Sequence, residues 1–368
     1  MQIKDQDFRL VAASQKLGWL TRILAEMETD FASKRLKGVT IDRPVFVTGL
    51  ARSGTTIILT LLSKADDVAT HRYRDFPFLQ TPILWNWFQD KFSKPAAPTE
   101  RAHGDRIEVS GESPEAYEEP VWSAYLDWLH DPSRVHTLEA GFSHAEFEEA
   151  FQLHLRKILA IRDGRRYVSK GNYNVTRIGY LAKLFPDAHF VVPVREPLSH
   201  VHSLVQQHRR FSAFSDRDPR VPVYLAAAGH YEFGPQRVAI QVKDEEVGKV
   251  AEAWNAGEDY RGYARLWAHI YSYVDLMQRT SPEIEERLTI VRYEDLCIDP
   301  RKTVAELCRA AQLQDSSGAI SGMVGSVSAP KDPTASIDDK DREAVMEETA
   351  EIAQRFGYSP CSKPTSEP

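Results

Sequence analysis

"PVFVTGLARSGTT", residues 44–56, is an apolar run that empties into a short polar loop. Val45, Phe46 and Val47 have the composition of a buried strand, and "TTIILTLLSKA", from Thr55, that of a helix. Between them, Gly49 and Gly54 frame a turn with Arg52 inside it. A strand that turns into a helix start presents N–H groups with no intrahelical partner, and the helix dipole adds positive charge there. Glycines let the backbone close on a ligand. Residues 52–56 therefore predict a cradle for a phosphate-like anion, with the Thr55 and Thr56 hydroxyls as further donors.

The same strand–loop–helix rhythm recurs along the chain. Strands are expected near "VATHRY" (68–73), at "RYVSK" (166–170), "AHFVVPVR" (188–195) and "LTIVRY" (288–293). Helices are expected over 6–36, at "VTRIGYLAKLF" with Thr176 as its cap, at "PLSHVHSLVQQHRR" with Pro197 in the first turn, at "YARLWAHIYSYVDLM" and at "TVAELCRAAQL". This alternation predicts an α/β fold of three layers, α/β/α, around a central parallel sheet. Ligands of such sheets bind beyond the C-terminal strand ends, where the opening loop lies. One domain is expected over residues 1–360, with helical insertions at about 81–161 and 211–250 as acceptor site or lid, and a disordered tail at 361–368. Pro193 removes a ladder donor, so an edge position or a bulge is expected there.

The composition narrows the class. With 368 residues, 42% of them hydrophobic, the chain can bury a large core. A net charge of −7 gives no global pull toward nucleic acid. Cys297, Cys308 and Cys361 have neither metal-like nor disulfide-like spacing. The opening residues lack a signal-peptide core, and no stretch reaches the ~20 apolar residues of a membrane span. A cytoplasmic protein without a membrane span is expected; the oligomeric state is unreadable.

Gly49 and Gly54 match the spacing of G-x-x-x-x-G-K-[ST], and Thr56 stands at the hydroxyl position. Thr55 replaces the lysine, however, and no expected strand ends in a clear metal-holding aspartate. This weighs against a P-loop kinase or nucleotide hydrolase, which stays open as an alternative. A second anion site is expected where Arg195 leaves a strand and Ser203 follows eight residues later on a helix.

The two motifs together, in this order, resemble the sulfotransferases that use 3′-phosphoadenosine 5′-phosphosulfate (PAPS), of the carbohydrate and tyrosylprotein type. "VSKGNYNVTRIGYLAKLFPDAHFVVPVREPLSHVHSL" and "IVRYEDLCIDPRKTVAELC" are similar to later blocks of that family. The resemblance implies that Ala51, Arg52, Ser53, Gly54, Thr55 and Thr56 hold the 5′-phosphosulfate and that Arg195 and Ser203 hold the 3′-phosphate. It implies PAPS as donor. A sulfuryl group carries one less negative charge than a phosphoryl, so no metal is expected, and with no membrane segment a small-molecule, glycan or glycolipid acceptor is expected. A family member that binds nucleotide or glycan without turnover is a further alternative. The sequence departs from the family at Pro193 and after Lys170, where Gly171 and Asn172 replace the usual hydroxyl residue and proline.

Sulfuryl transfer is in-line displacement with charge growing on the leaving oxygen, and fixed cations can serve it. Arg52 is expected in that role, with Lys170 beside it. The acceptor also needs a base. An ungapped match sets Tyr73 at the place of the family's acid, and a shift of two residues brings His71 or Asp75 there; Asp75 is preferred, with pairing to Arg72 or Arg74 or a turn cap as its plain structural alternative. Glu108, Glu112, Glu115, Glu118 and Glu119 read more readily as a solvated helix start, capped by Ser113, than as an acceptor pocket. Trp85, Trp87, Trp122 and Trp128 suit an acceptor site or a core equally. His103 and His208 read as structural.

Overall fold

The computed structural model describes residues 3–16, 18–92, 98–100, 108–327 and 336–359. Helices α1 (Asp5–Lys16), α2 (Gly18–Phe31) and α3 (Ser33–Leu36) open the chain. Then come β1 (Val45–Val47), α4 (Thr55–Leu62) and β2 (Val68–Ala69). The next segment holds α5 (Pro82–Phe92), a hairpin of β3 (Thr99–Glu100) and β4 (Glu108–Val109), α6 (Glu119–Ser123) and α7 (Ala145–Arg162). After β5 (Arg166–Lys170) follow α8 (Ile178–Leu184), β6 (His189–Val194), α9 (Pro197–Arg217), α10 (Arg220–Ala227), α11 (Lys249–Asn255), α12 (Asp259–Thr280) and α13 (Pro282–Glu285). β7 (Leu288–Arg292) leads into α14 (Tyr293–Ile298), α15 (Pro300–Ala310), α16 (Ala319–Met323) and α17 (Asp339–Arg355). His103 and the 361–368 tail lie outside the described residues.

Five strands form one parallel sheet in the order β2-β5-β1-β6-β7. Side chains alternate across it. Val45, Val47, Val168 and Val191 face one helical layer that includes α4 and α15. Phe46, Tyr167, Phe190 and Val192 face the other, with α7, α8, α9 and α12. Both faces are covered, as near-continuous apolar strands require. Among the described residues no helix is long and apolar enough to cross a membrane.

Pro193 sits on neither an edge nor a bulge. β6 lies between β1 and β7, and its pairing with β7 runs unbroken through Pro193 opposite Val291. The N–H of His189 bonds Pro44 on the β1 side, and that of Phe190 bonds Arg287 on the β7 side. By this alternation the Pro193 nitrogen faces β1, but β1 has ended at Val47 and the chain has left for the loop. The missing donor therefore costs no ladder bond. Thr176 also departs from expectation: it lies in a short 3-10 turn (Asn172–Thr176), and its hydroxyl donates to the Tyr173 carbonyl rather than capping α8. α9 runs on to Arg217, past residue 211 where an irregular insertion was expected, because Phe211 is buried against α10. The final helix α17, packed along α12 through Arg261 and Arg265 on Glu348, carried no expectation from sequence.

Candidate active site

The loops after β1, β5, β6 and β7 all open at the same sheet edge, because the strands are parallel. The 48–54 loop lies between the one that starts at Lys170 and the one that starts at Arg195. Thr48 fixes it on one side, donating its hydroxyl to the Gly171 carbonyl at 2.7 Å. His200 fixes it on the other, its Nε2 2.8 Å from the Ala51 carbonyl. Burial, with the Arg195 and Arg52 charges beside it, brings His200 down to about 3 despite that bond, so it is a neutral donor at ordinary pH.

Within the loop Arg52 is left-handed, at φ 70°, and Gly54 at φ 111° precedes α4. The Ser53 hydroxyl donates to the Leu50 carbonyl at 2.7 Å, so it shapes the turn. Thr55 and Thr56 begin α4, whose first-turn N–H groups point into the loop mouth. A Cβ on Gly54 would stand 2.6 Å from the Tyr293 ring, so the bare backbone is what lets that ring close over the loop.

The two anion motifs meet. The Arg52 guanidinium donates through Nε to the Ser203 hydroxyl at 3.2 Å. Arg195 donates through Nη1 to the Arg52 carbonyl at 3.3 Å and lies 5.2 Å over the Tyr293 ring. The Arg195 Nε is buried and has no hydrogen-bond partner among the described residues, an orphaned donor of the sort an anion satisfies. Arg195 is aimed from behind by the Trp267 indole N–H on its carbonyl, and the Glu196 carboxylate caps α9 on the N–H groups of Leu198 and Ser199. A cleft of about 520 Å³ runs from Arg52 and Ser203 along α9 past Gln206, Gln207, Arg209 and Arg210. One Ser-bearing helix face thus continues the loop as a basic wall.

Asp75 and His71 are placed differently from the base role expected of them. Asp75 is fully enclosed. Its Oδ1 accepts from Asn86 at 2.9 Å and Arg162 at 2.5 Å, and its Oδ2 accepts from the Arg72 N–H at 2.8 Å. His71 is buried with its Nε2 3.1 Å from the His154 Nε2, and burial with the Arg162 charge brings it to about 3. A base must face an acceptor; these two hold a turn and the end of α7 instead. Lys170 does lie at the sheet edge, one residue before Gly171, which bonds Val47 at the loop's root.

The residues before α6 make a second layer over that edge. Tyr73 and Arg74 donate backbone N–H groups to Ser113 and Gly111, and Glu115 donates to the His71 carbonyl at 3.0 Å. Glu115 is thereby brought, 7% exposed, beside Tyr73, Lys170 and His230. Burial works to raise its carboxyl, but the charges of Lys170 and His230 and the Tyr73 hydroxyl outweigh it and hold the group at about 2.

A family model described as the sulfotransferase family matches residues 44–238 of this chain. The chain belongs to the sulfotransferase family. Among solved structures it is similar to sulfotransferase STF1 from Mycobacterium tuberculosis H37Rv, at 16% identity over 89% of this chain and 82% of that one, with a TM-score of 0.48. It is also similar to sulfotransferase STF9 from Mycobacterium avium, at 13% identity over 92% and 83%, with a TM-score of 0.48. A sulfotransferase domain from the curacin biosynthetic pathway aligns at 13% identity over 87% and 99%, with a TM-score of 0.43. No curated protein matches the chain.

In this sulfotransferase the acidic segment is not the solvated helix start expected of it. Glu112 is exposed, on Arg72 and Arg74. Glu118 is buried, accepting from Tyr167 and Asn174 at 2.7 and 2.6 Å, and burial pushes its carboxyl up. Glu119 is buried in a two-pronged pair with Arg177 at 2.7 and 2.8 Å, with His130 also 2.6 Å away. Arg177 itself lies 4.5 Å over the Trp122 ring, which settles Trp122 in the core. Trp85 packs between Phe78 and Phe88, and Trp87 is exposed.

Sequence reading also passed over Tyr293, His230 and Glu232. Asn172 donates to Glu232 at 2.6 Å, and the His230 Nδ1 lies 3.6 Å from the same carboxylate. Burial works to lower His230, but Glu232 and Glu115 raise it above its ordinary value. Burial works to raise Glu232; its bond and charge to His230 and the Asn172 bond bring it to about 2. A cavity of about 190 Å³ opens beside His230, with Leu225, Tyr231 and Phe233 in its lining. Tyr293 had a signal: it follows an arginine at a strand end, in the block quoted for the family resemblance.

Proposed function

We propose that this sulfotransferase moves a sulfuryl group from PAPS to a hydroxyl or amine of a small-molecule or glycan acceptor. The observation that carries the donor reading is the meeting of Arg52, Arg195 and Ser203, from two motifs separated by more than a hundred residues, at one sheet edge. The first-turn N–H groups of α4 and the loop backbone suit the 5′-phosphosulfate, and Arg195 with its orphaned Nε suits the 3′-phosphate. The donor supplies the activated sulfuryl group. Arg52 carries the charge that grows on the bridging oxygen as the S–O bond breaks, and Lys170 offers a second cation. Tyr293 screens the loop from water. The polar-and-aromatic cavity beside His230 suits a hydroxylated acceptor of modest size.

The test is thermal unfolding with added nucleotide. With 3′-phosphoadenosine 5′-phosphate the midpoint should rise, equally with and without chelator. A rise only with Mg·ATP would instead mark a nucleotide kinase or hydrolase.

A further inference from the structure

We propose that the Glu115 carboxylate is the base that takes the acceptor's proton, with His230 and Glu232 as the positioning pair behind it. This rests on the donor reading above. β2 pairs Val68 with Arg166 and Ala69 with Tyr167 of β5, the strand that ends at Lys170; just past β2, Arg72 bridges Pro114, and Lys170 acts on the Glu115 carboxylate beside it. Glu115 is bonded through its own N–H to residue 71, one position away. The acid and Lys170 are therefore neighbours at the sheet edge where the loop mouth opens. No other carboxylate described at this edge fits as well. Asp75 has both oxygens occupied, Glu118 serves Tyr167 and Asn174, Glu119 serves Arg177, and Glu294 accepts from Tyr358 and the Glu196 N–H.

One Glu115 oxygen, Oε1, accepts from the Ala116 N–H at 2.7 Å, which fixes the side chain's rotamer. The groups that face it are Tyr73, Lys170 and His230. Together with Glu232 they alternate in sign: Lys170 positive, Glu115 negative, His230 positive when protonated, Glu232 negative. Glu115 is therefore ionised, in its accepting form, at neutral pH. When a sulfuryl group draws on the Lys170 charge, the pull on Glu115 weakens and its affinity for a proton grows. The step then balances. The acceptor oxygen bonds sulfur while the bridging S–O bond breaks. The departing 5′-phosphate keeps that electron pair, and the acceptor proton passes to Glu115 with nothing oxidised or reduced.

The experiment compares wild type, Glu115→Gln, and the double variant Tyr73→Glu with Glu115→Gln. Each is incubated with ³⁵S-labelled PAPS and a panel of 4-nitrophenol, a free hexosamine and dodecanol. Binding of 3′-phosphoadenosine 5′-phosphate is followed in parallel by thermal shift. Glu115→Gln should lose transfer by roughly 10²–10⁴-fold, the usual worth of a general base, with nucleotide binding kept. Because the Tyr73 hydroxyl bonds Glu115, a carboxylate on residue 73 enters the same space, and the double variant should regain part of the rate. Transfer by Glu115→Gln at the wild-type rate overturns the proposal. So does joint loss of transfer and nucleotide binding, which would make the residue structural. A wild type that neither binds the nucleotide nor transfers contradicts the donor reading itself, and this inference falls with it.

Discussion

Arg52 is the residue on which the two anion motifs converge. Its backbone is left-handed, a conformation that costs a non-glycine residue of order 1 kcal/mol or more. That twist turns its side chain to Ser203 and its carbonyl to Arg195. Arg52→Ala should leave the fold standing and lower turnover by roughly 10²–10³-fold, the cost of removing one preorganised donor, about 2.7–4 kcal/mol. Initial rates with labelled PAPS check this; wild-type turnover in the variant would remove Arg52 from the mechanism. The positions of Arg195, Ser203 and Lys170 were legible because each sits at a strand end or on the helix after it, and that of Arg52 because its loop is framed by Gly49 and Gly54 between a strand and a helix. Asp75 and His71 were not, since their partners Arg162, Asn86 and His154 come from α5 and α7, at separations no local pattern encodes.

At the scale of elements, the β1–loop–α4 unit depends on Gly54. Its φ of 111° forbids a side chain, and so does the Tyr293 ring, 2.6 Å from where a Cβ would stand. Gly54→Ala should destabilise the protein by about 1–3 kcal/mol through backbone strain and displace Tyr293. Denaturant unfolding reads the first effect. Loss of the thermal shift by 3′-phosphoadenosine 5′-phosphate reads the second, and an unchanged shift would contradict the role given to the closed loop. The strands were legible as elements because parallel strands buried on both faces are continuous apolar runs. Pro193 was misjudged because the ladder's alternation, and the early end of β1, show only in three dimensions. Residues 111–115 carry no strand pattern at all: they pair with 71–74 by a few backbone bonds, and that is why the sequence favours a solvated helix start over an acceptor pocket for Glu115. α17 was legible in principle, since Asp338 caps it and Val345 and Ile352 are seven apart on its buried face.

The whole molecule buries several neutral histidines. Burial brings His71 and His200 to about 3, His189 to about 4 and His154 well below its ordinary value. In the unfolded chain each takes up a proton near pH 6.5, whereas in the folded chain it does so only near these depressed values. Between about 6.5 and 3 the unfolded state binds more protons, so stability is present above that window and falls as pH falls through it. Each group adds up to ~1.4 kcal/mol per pH unit to the slope. His230 has the opposite sign: its raised value stabilises below the ordinary imidazole range and is lost as pH rises past it. The melting midpoint should therefore drop steeply below pH 6, and His189→Gln, which removes one such group, should flatten that drop. A midpoint flat from pH 6.5 to 4 would contradict the burial of neutral imidazoles.

The central claim is that one bisphosphorylated adenosine carrier is gripped by the β1 loop and by the start of α9. A crystal structure grown with 3′-phosphoadenosine 5′-phosphate in the presence of chelator tests it most directly. The 5′-phosphate should lie against the backbone of residues 53–56 and Arg52, and the 3′-phosphate on Arg195 and Ser203. Density for the nucleotide elsewhere, or a loop left empty at saturating nucleotide, would contradict it.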